Sequence, residues 1–87
     1  MKYTIYGKTG CSACIQAKQL LESKQAEYEY VLLGLNYSLD EFYSIAPKTH
    51  KSFPMITVVE KYDGVEMHEQ YVGGLYQLQQ ILNSDSK

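Results

Sequence analysis

Tryptophan is missing from this chain, and cysteine, proline and phenylalanine occur twice each. With proline and glycine this sparse and apolar residues at 45%, the composition is that of an ordinary globular protein rather than a disordered one. Basic residues are also few: 8 Lys and Arg against 10 Asp and Glu leave a net charge of −2, and the cations are scattered. No electrostatic footprint for a nucleic-acid backbone is present, so that class of partner is excluded. Long apolar runs are absent as well. None approaches the roughly 18 residues of a membrane span, and Met1-Lys2-Tyr3-Thr4-Ile5-Tyr6-Gly7 is too short for the core of a signal peptide. A cytoplasmic protein without a membrane partner is expected.

What the chain does have fits one domain over residues 1–87, a length that buries about 60% of its unfolded surface around a single modest core. A monomer is expected. Residues 2–6 alternate, with Tyr3 and Ile5 on one face and Thr4 and Tyr6 on the other, and predict a strand closed by Gly7. From Ser12 to about Lys24, Cys14, Ala17, Leu20 and Leu21 recur at helical spacing among good helix formers. Tyr28 to Leu33 is a second strand bounded by Gly34, so the first half reads as a parallel strand–helix–strand unit.

Ser38 with Glu41 three residues on is a capping-box pattern, predicting a short helix from Leu39 to Ala46 that Pro47 ends. Pro54 introduces the β-branched run Met55–Val59, and the turn signal Asp63-Gly64 separates it from a strand over Val65–Val72. After Gly73-Gly74, Leu75, Leu78, Ile81 and Leu82 mark a last helix, and the chain is expected to fray from Ser84. The order β-α-β-α-β-β-α, with apolar stripes that need covering, predicts an α/β fold: a four-stranded mixed sheet with helices on both faces.

Cys11 and Cys14 carry the chemistry. Free cysteine has a pKa of about 8.5, and only its thiolate is a good nucleophile, so something must hold the anion at neutral pH. Cys11 stands where loop becomes helix, and there unpaired backbone N–H groups and the helix dipole favour negative charge. Lys8, three residues earlier, adds a positive charge nearby. Cys14, one turn on, shares that face and comes within disulfide reach. Cys11 is therefore read as the attacking thiolate, and Cys14 as the more buried thiol that resolves the mixed disulfide.

Two other readings stay open. Both cysteines can be small core residues, or they can hold zinc or an iron–sulfur cluster, although His50 and His68 lack the spacing of a zinc-finger pair. His50, with Lys48 and Lys51, reads as a solvated loop, and His68 as structural. The nine tyrosines suggest strand packing, because no basic groove accompanies them. Tyr6 alone is placed to touch the loop before Cys11.

Tyr6-Gly7-Lys8-Thr9-Gly10-Cys11-Ser12-Ala13-Cys14-Ile15-Gln16-Ala17-Lys18, Ser52-Phe53-Pro54 and Val72-Gly73-Gly74 stand in an order and spacing that resembles the glutaredoxins, small members of the thioredoxin superfamily. The resemblance covers nearly the whole chain and implies the thioredoxin-like fold. It also implies a thiol–disulfide oxidoreductase without a bound cofactor, using glutathione as electron-donating cosubstrate and reducing protein or small-molecule disulfides. By the same resemblance Pro54 is cis, Phe53 pairs its backbone with the cysteinyl part of glutathione, and Lys8 meets the glycine carboxylate. Residues after Gly74 hold the γ-glutamyl end.

Two departures from the family pattern matter. The family usually places Pro-Tyr between its cysteines, whereas Ser12-Ala13 here removes the aromatic side of the groove. After the double glycine it usually offers a polar residue and an aspartate, and Leu75, Tyr76 and Gln77 stand there instead. Gln77 can accept a hydrogen bond and Tyr76 can supply ring contact. The lost carboxylate keeps a second reading in view, a redoxin of the same fold recharged by a reductase protein and serving ribonucleotide reductase. A thioredoxin proper is disfavoured, since no tryptophan precedes Cys11 and the first strand carries no acidic residue.

Overall fold

A computed structural model describes residues 2–47, 52–62, 65–66 and 69–84. The expectations for the Asp63-Gly64 turn, for Lys48, His50, Lys51 and His68, and for the chain past Ser84 lie outside the described residues. The chain opens with β1 (Lys2–Gly7), α1 (Ser12–Ser23) and β2 (Glu27–Leu32), and the two strands pair in parallel from Lys2↔Glu27 to Gly7↔Leu32. Next come α2 (Leu39–Ile45), β3 (Met55–Val59), β4 (Lys61–Tyr62), β5 (Val65–Glu66), β6 (Gln70–Gly73) and α3 (Leu75–Ser84). β3 runs antiparallel to both β1 and β6, giving a four-stranded mixed sheet in the order β2-β1-β3-β6.

The alternation in β1 decides what each face meets. Tyr3 and Ile5 join Ala17 and Leu21 of α1, Ile56 of β3, and Leu78 and Leu82 of α3 in one buried cluster. Full burial of a side chain such as Ile5 or Leu21 stabilises the fold by about 1.5–3 kcal/mol. On the opposite face Tyr6 and Val31 lie against Tyr37, Phe42, Ala46 and Met55, the cluster that α2 completes. Helices therefore cover both faces, as the two apolar stripes and the short capped helix require.

One expectation needs correcting in detail. The predicted strand over Val65–Val72 is divided: Gln70–Gly73 pairs with β3, while Val65–Glu66 pairs with Lys61–Tyr62 in a separate two-stranded ribbon. The reason lies in β1, whose first residue Lys2 already faces Val59. Beyond that point, among the described residues, β4 and β5 pair with each other and with no other strand. The ladder also shifts register between Ile56 and Thr57, where Ile56 faces Gly73 but Thr57 faces Tyr71. Such a bulge bends the returning strand.

The same topology gathers the chemistry. The carboxyl ends of β1 and β6 and the amino end of β3 lie at one edge of the sheet, and α1 and α3 both begin there.

Candidate active site

At that edge the chain leaves β1 at Gly7 and turns through Gly10, whose φ of 77° suits glycine far better than any side chain. Cys11 follows as the N-cap of α1, with extended backbone and with its carbonyl already accepting from the Ile15 amide. Its sulfur takes the place of the usual capping oxygen: Sγ accepts a hydrogen bond from the Cys14 amide at 3.2 Å. No acidic residue occupies the first turn of α1, so nothing there offsets the positive end of the helix dipole. A sulfur in this position is stabilised as an anion by a backbone N–H and by the aligned peptides behind it.

Cys14 is joined to Cys11 by a disulfide, with Cα atoms 5.3 Å apart. Exposure separates the pair, since Cys11 retains 8% of its surface and Cys14 none. The space for Cys14 is made by Gly7: a Cβ added there would stand 3.1 Å from Cys14 Sγ. Ser12 between the cysteines is exposed and Ala13 half-buried. Neither offers a ring.

The peptide bond from Phe53 to Pro54 is cis, and Pro54 is buried where β3 begins, next to the Tyr6↔Met55 pair of the ladder. Phe53 is half-buried against Phe42, with ring centroids 5.0 Å apart. The ammonium of Lys8, in the loop before Cys11, lies 5.1 Å from the centre of the same Phe53 ring, a cation–π arrangement. Phe53 thus links α2, the cis bond and the charged side chain.

At the start of α3, Gly73 has a φ of 134° and a Cβ there would stand 2.8 Å from Gln77, so only glycine allows the approach. Gln77 Oε1 accepts the backbone N–H of Gly74 at 2.9 Å, one half of a capping box. Leu75 is half-buried and packs on the main core, whereas Tyr76 is 64% exposed and its hydroxyl accepts from Gln80.

Tyr6 belongs to the face that α2 covers. Its ring meets Tyr37 edge-on at 5.2 Å, and its hydroxyl donates to Glu69 at 2.6 Å. Glu69 also accepts from the fully buried Thr57 hydroxyl. Burial first, and then the Glu69 bond and charge, push the Tyr6 phenol well above its ordinary pKa. Tyr37 donates its hydroxyl to the Gly7 carbonyl at 2.8 Å, and burial, with a smaller contribution from Tyr30, raises its pKa to about 12. Glu69 and Tyr37 carry no motif, and neither could be singled out from sequence. Only the bulged hairpin and the loop after β2 bring them to the strand that leads to Cys11.

Among the described residues no group of three or more His, Cys, Asp or Glu is placed to hold a metal ion, and no helix is long and apolar enough to cross a membrane.

Comparison with known proteins extends this geometry. The family model described as Glutaredoxin matches residues 3–62. No individual curated protein sequence matches significantly. Among solved structures, the chain is similar to reduced Escherichia coli glutaredoxin, at 25% identity and a TM-score of 0.71, covering 98% of this chain and 96% of that one. It is similar in fold to glutaredoxin 1 from Francisella tularensis, solved with cacodylate, at 18% identity and a TM-score of 0.66, covering 97% and 94%.

Proposed function

The chain belongs to the glutaredoxin family of thiol–disulfide oxidoreductases, and we propose that it reduces protein and small-molecule disulfides through Cys11 and Cys14 with glutathione as electron source. The observation that carries this reading is the Cys11 sulfur at the cap of α1, held by the Cys14 amide and already paired with Cys14. In the reduced form Cys11 attacks a substrate disulfide and releases one thiol. Cys14 then attacks the Cys11 sulfur, freeing the second thiol and restoring the disulfide. Two molecules of glutathione return the pair to dithiol, themselves becoming a disulfide.

In this reading Lys8 meets the glycine carboxylate of glutathione, and Phe53, turned by the cis bond to Pro54, offers its backbone to the cysteinyl part. Ser12 and Ala13 line the rim without a ring. Gly74, Leu75 and Tyr76 face the γ-glutamyl end. Tyr6 acts from the opposite face through Tyr37, which is bonded to Gly7.

One observation favours a second reading, in which a reductase protein recharges the dithiol and ribonucleotide reductase is the client. Gln77 brings no negative charge to the γ-glutamyl ammonium, and its carbonyl is already engaged by the Gly74 amide. A coupled assay with glutathione and its reductase, set against one with a thioredoxin-type reductase, separates the two. Faster turnover with glutathione is expected, and turnover with the reductase protein alone would reverse the order. Gln77→Asp is expected to raise kcat/KM for glutathione mixed disulfides about tenfold, because a hydrogen bond to a charged group contributes ~1.5 kcal/mol.

A further inference from the structure

The proposed cycle leaves one proton without an evident route. Cys14 is fully buried, and apolar surroundings hold a thiol in its neutral form. Yet Cys14 must lose its proton to attack Cys11. Among the described residues, one hydroxyl is placed beside Cys14. The point where a Gly7 Cβ would stand is 3.1 Å from Cys14 Sγ and 3.2 Å from the hydroxyl of Tyr30, so sulfur and phenol both border the space that the missing side chain of Gly7 leaves.

The other titratable groups that α1 meets are placed elsewhere. On the covered face of β1 and β2 these are Tyr3 and Tyr28, which face each other in the ladder. Tyr28 is tied to Glu22 in the last turns of α1. Glu27 and Glu29 alternate onto the opposite face of the sheet, where Glu29 pairs with Lys2. Lys18, Glu22 and Lys24, on α1 and just past its end, are exposed, and from α3 Tyr76 is exposed with its hydroxyl on Gln80. Tyr37 uses its hydroxyl on the Gly7 carbonyl. Tyr30 remains, half-buried near the carboxyl end of β2, with its ring packed on the main core.

We propose that Tyr30 is the proton relay of the resolving thiol. In the mixed disulfide the Tyr30 oxygen accepts the proton of Cys14 Sγ–H while its own hydroxyl proton passes to solvent. The Cys14 thiolate attacks Cys11 Sγ and forms the new S–S bond. The bond from Cys11 to the substrate sulfur breaks, and its electron pair leaves with the substrate thiolate, which takes a proton from water. The cysteine pair is oxidised by two electrons and the substrate disulfide is reduced by two. In the reverse direction the hydroxyl returns a proton to Cys14 as glutathione opens the disulfide.

This inference rests on Cys14 acting as the resolving thiol, and one experiment tests the two separately. The reduced protein is mixed with an aromatic disulfide whose thiolate is coloured on release. The first release reports attack by Cys11, and the second reports attack by Cys14. In Tyr30→Phe, which keeps the ring, the first release is expected to be unchanged. The second is slowed about a hundredfold, the lower end of what a positioned proton-transfer group contributes. Its pH profile moves to more alkaline values, because Cys14 must then ionise unaided. An unchanged second release across the pH range overturns the relay. Equal slowing of both releases also overturns it, since that marks a merely structural tyrosine. Absence of any second release from the unaltered protein would instead remove the resolving role of Cys14.

Discussion

Cys11 holds two roles in one atom, since its sulfur both caps α1 and carries the proposed attack. Serine is a good N-cap, so Cys11→Ser keeps the helix start while removing the nucleophile. That variant is expected to lose all disulfide reductase activity with its helical signal intact. Cys14→Ser, by contrast, is expected to keep turnover of glutathione mixed disulfides, which need only the attacking thiol, and to lose reduction of protein disulfides that depend on resolution. Parallel assays on the two substrate classes check the division, and equal loss in both variants would contradict it. The place of Cys11 at the cap of α1 and its pairing with Cys14 were legible from two residues and their spacing, because an N-cap is a local structure. The placement of Gly7 and Tyr30 beside Cys14 was not, since it arises where separate elements meet.

Among the elements, α2 is the most dependent on its ends. It has only seven residues, too few to hold together by propensity, and its capping box is complete: Glu41 N–H donates to Ser38 Oγ, and the Glu41 carboxylate accepts the Ser38 N–H. Phe42, seated on this helix, supports the Phe53 ring that Lys8 overlies. Ser38→Ala is expected to destabilise the protein by about 1 kcal/mol, measured as a lower urea midpoint at unchanged slope. The box was readable from Ser38 and Glu41 alone. The splitting of the predicted Val65–Val72 strand was not, because it depends on where β1 starts in space, at the Lys2↔Val59 pair.

For the whole molecule, tyrosine links stability to pH. The phenols of Tyr6, Tyr37 and Tyr71 are raised chiefly by burial, and that of Tyr28 chiefly by its bond to Glu22. In each case the folded form keeps its proton where the unfolded chain has lost it, so the native state binds more protons above the ordinary tyrosine pKa of 10.0. Their contribution is fully present below about pH 10 and declines as pH rises through the folded values, about 12 for Tyr37. Urea unfolding followed from neutral to strongly alkaline pH is expected to show a flat midpoint and then a steep fall. The part of the phenolate absorbance that Tyr6→Phe and Tyr37→Phe variants remove should rise together with the loss of structure. A rise of that part running ahead of unfolding would show these two tyrosines to be free.

Sequence by itself determined the element order, the inward faces of β1 and α1, that of α3 apart from the exposed Ile81, and the two cysteines at a helix start, because side-chain period, caps and turns act within a few residues of chain. Tertiary structure decided which tyrosine shares with Cys14 the space beside Gly7, and how Glu69 comes to bind Tyr6 and Thr57. Those contacts join residues brought together by strand register and a bulge. Each of these depends on how the whole sheet pairs.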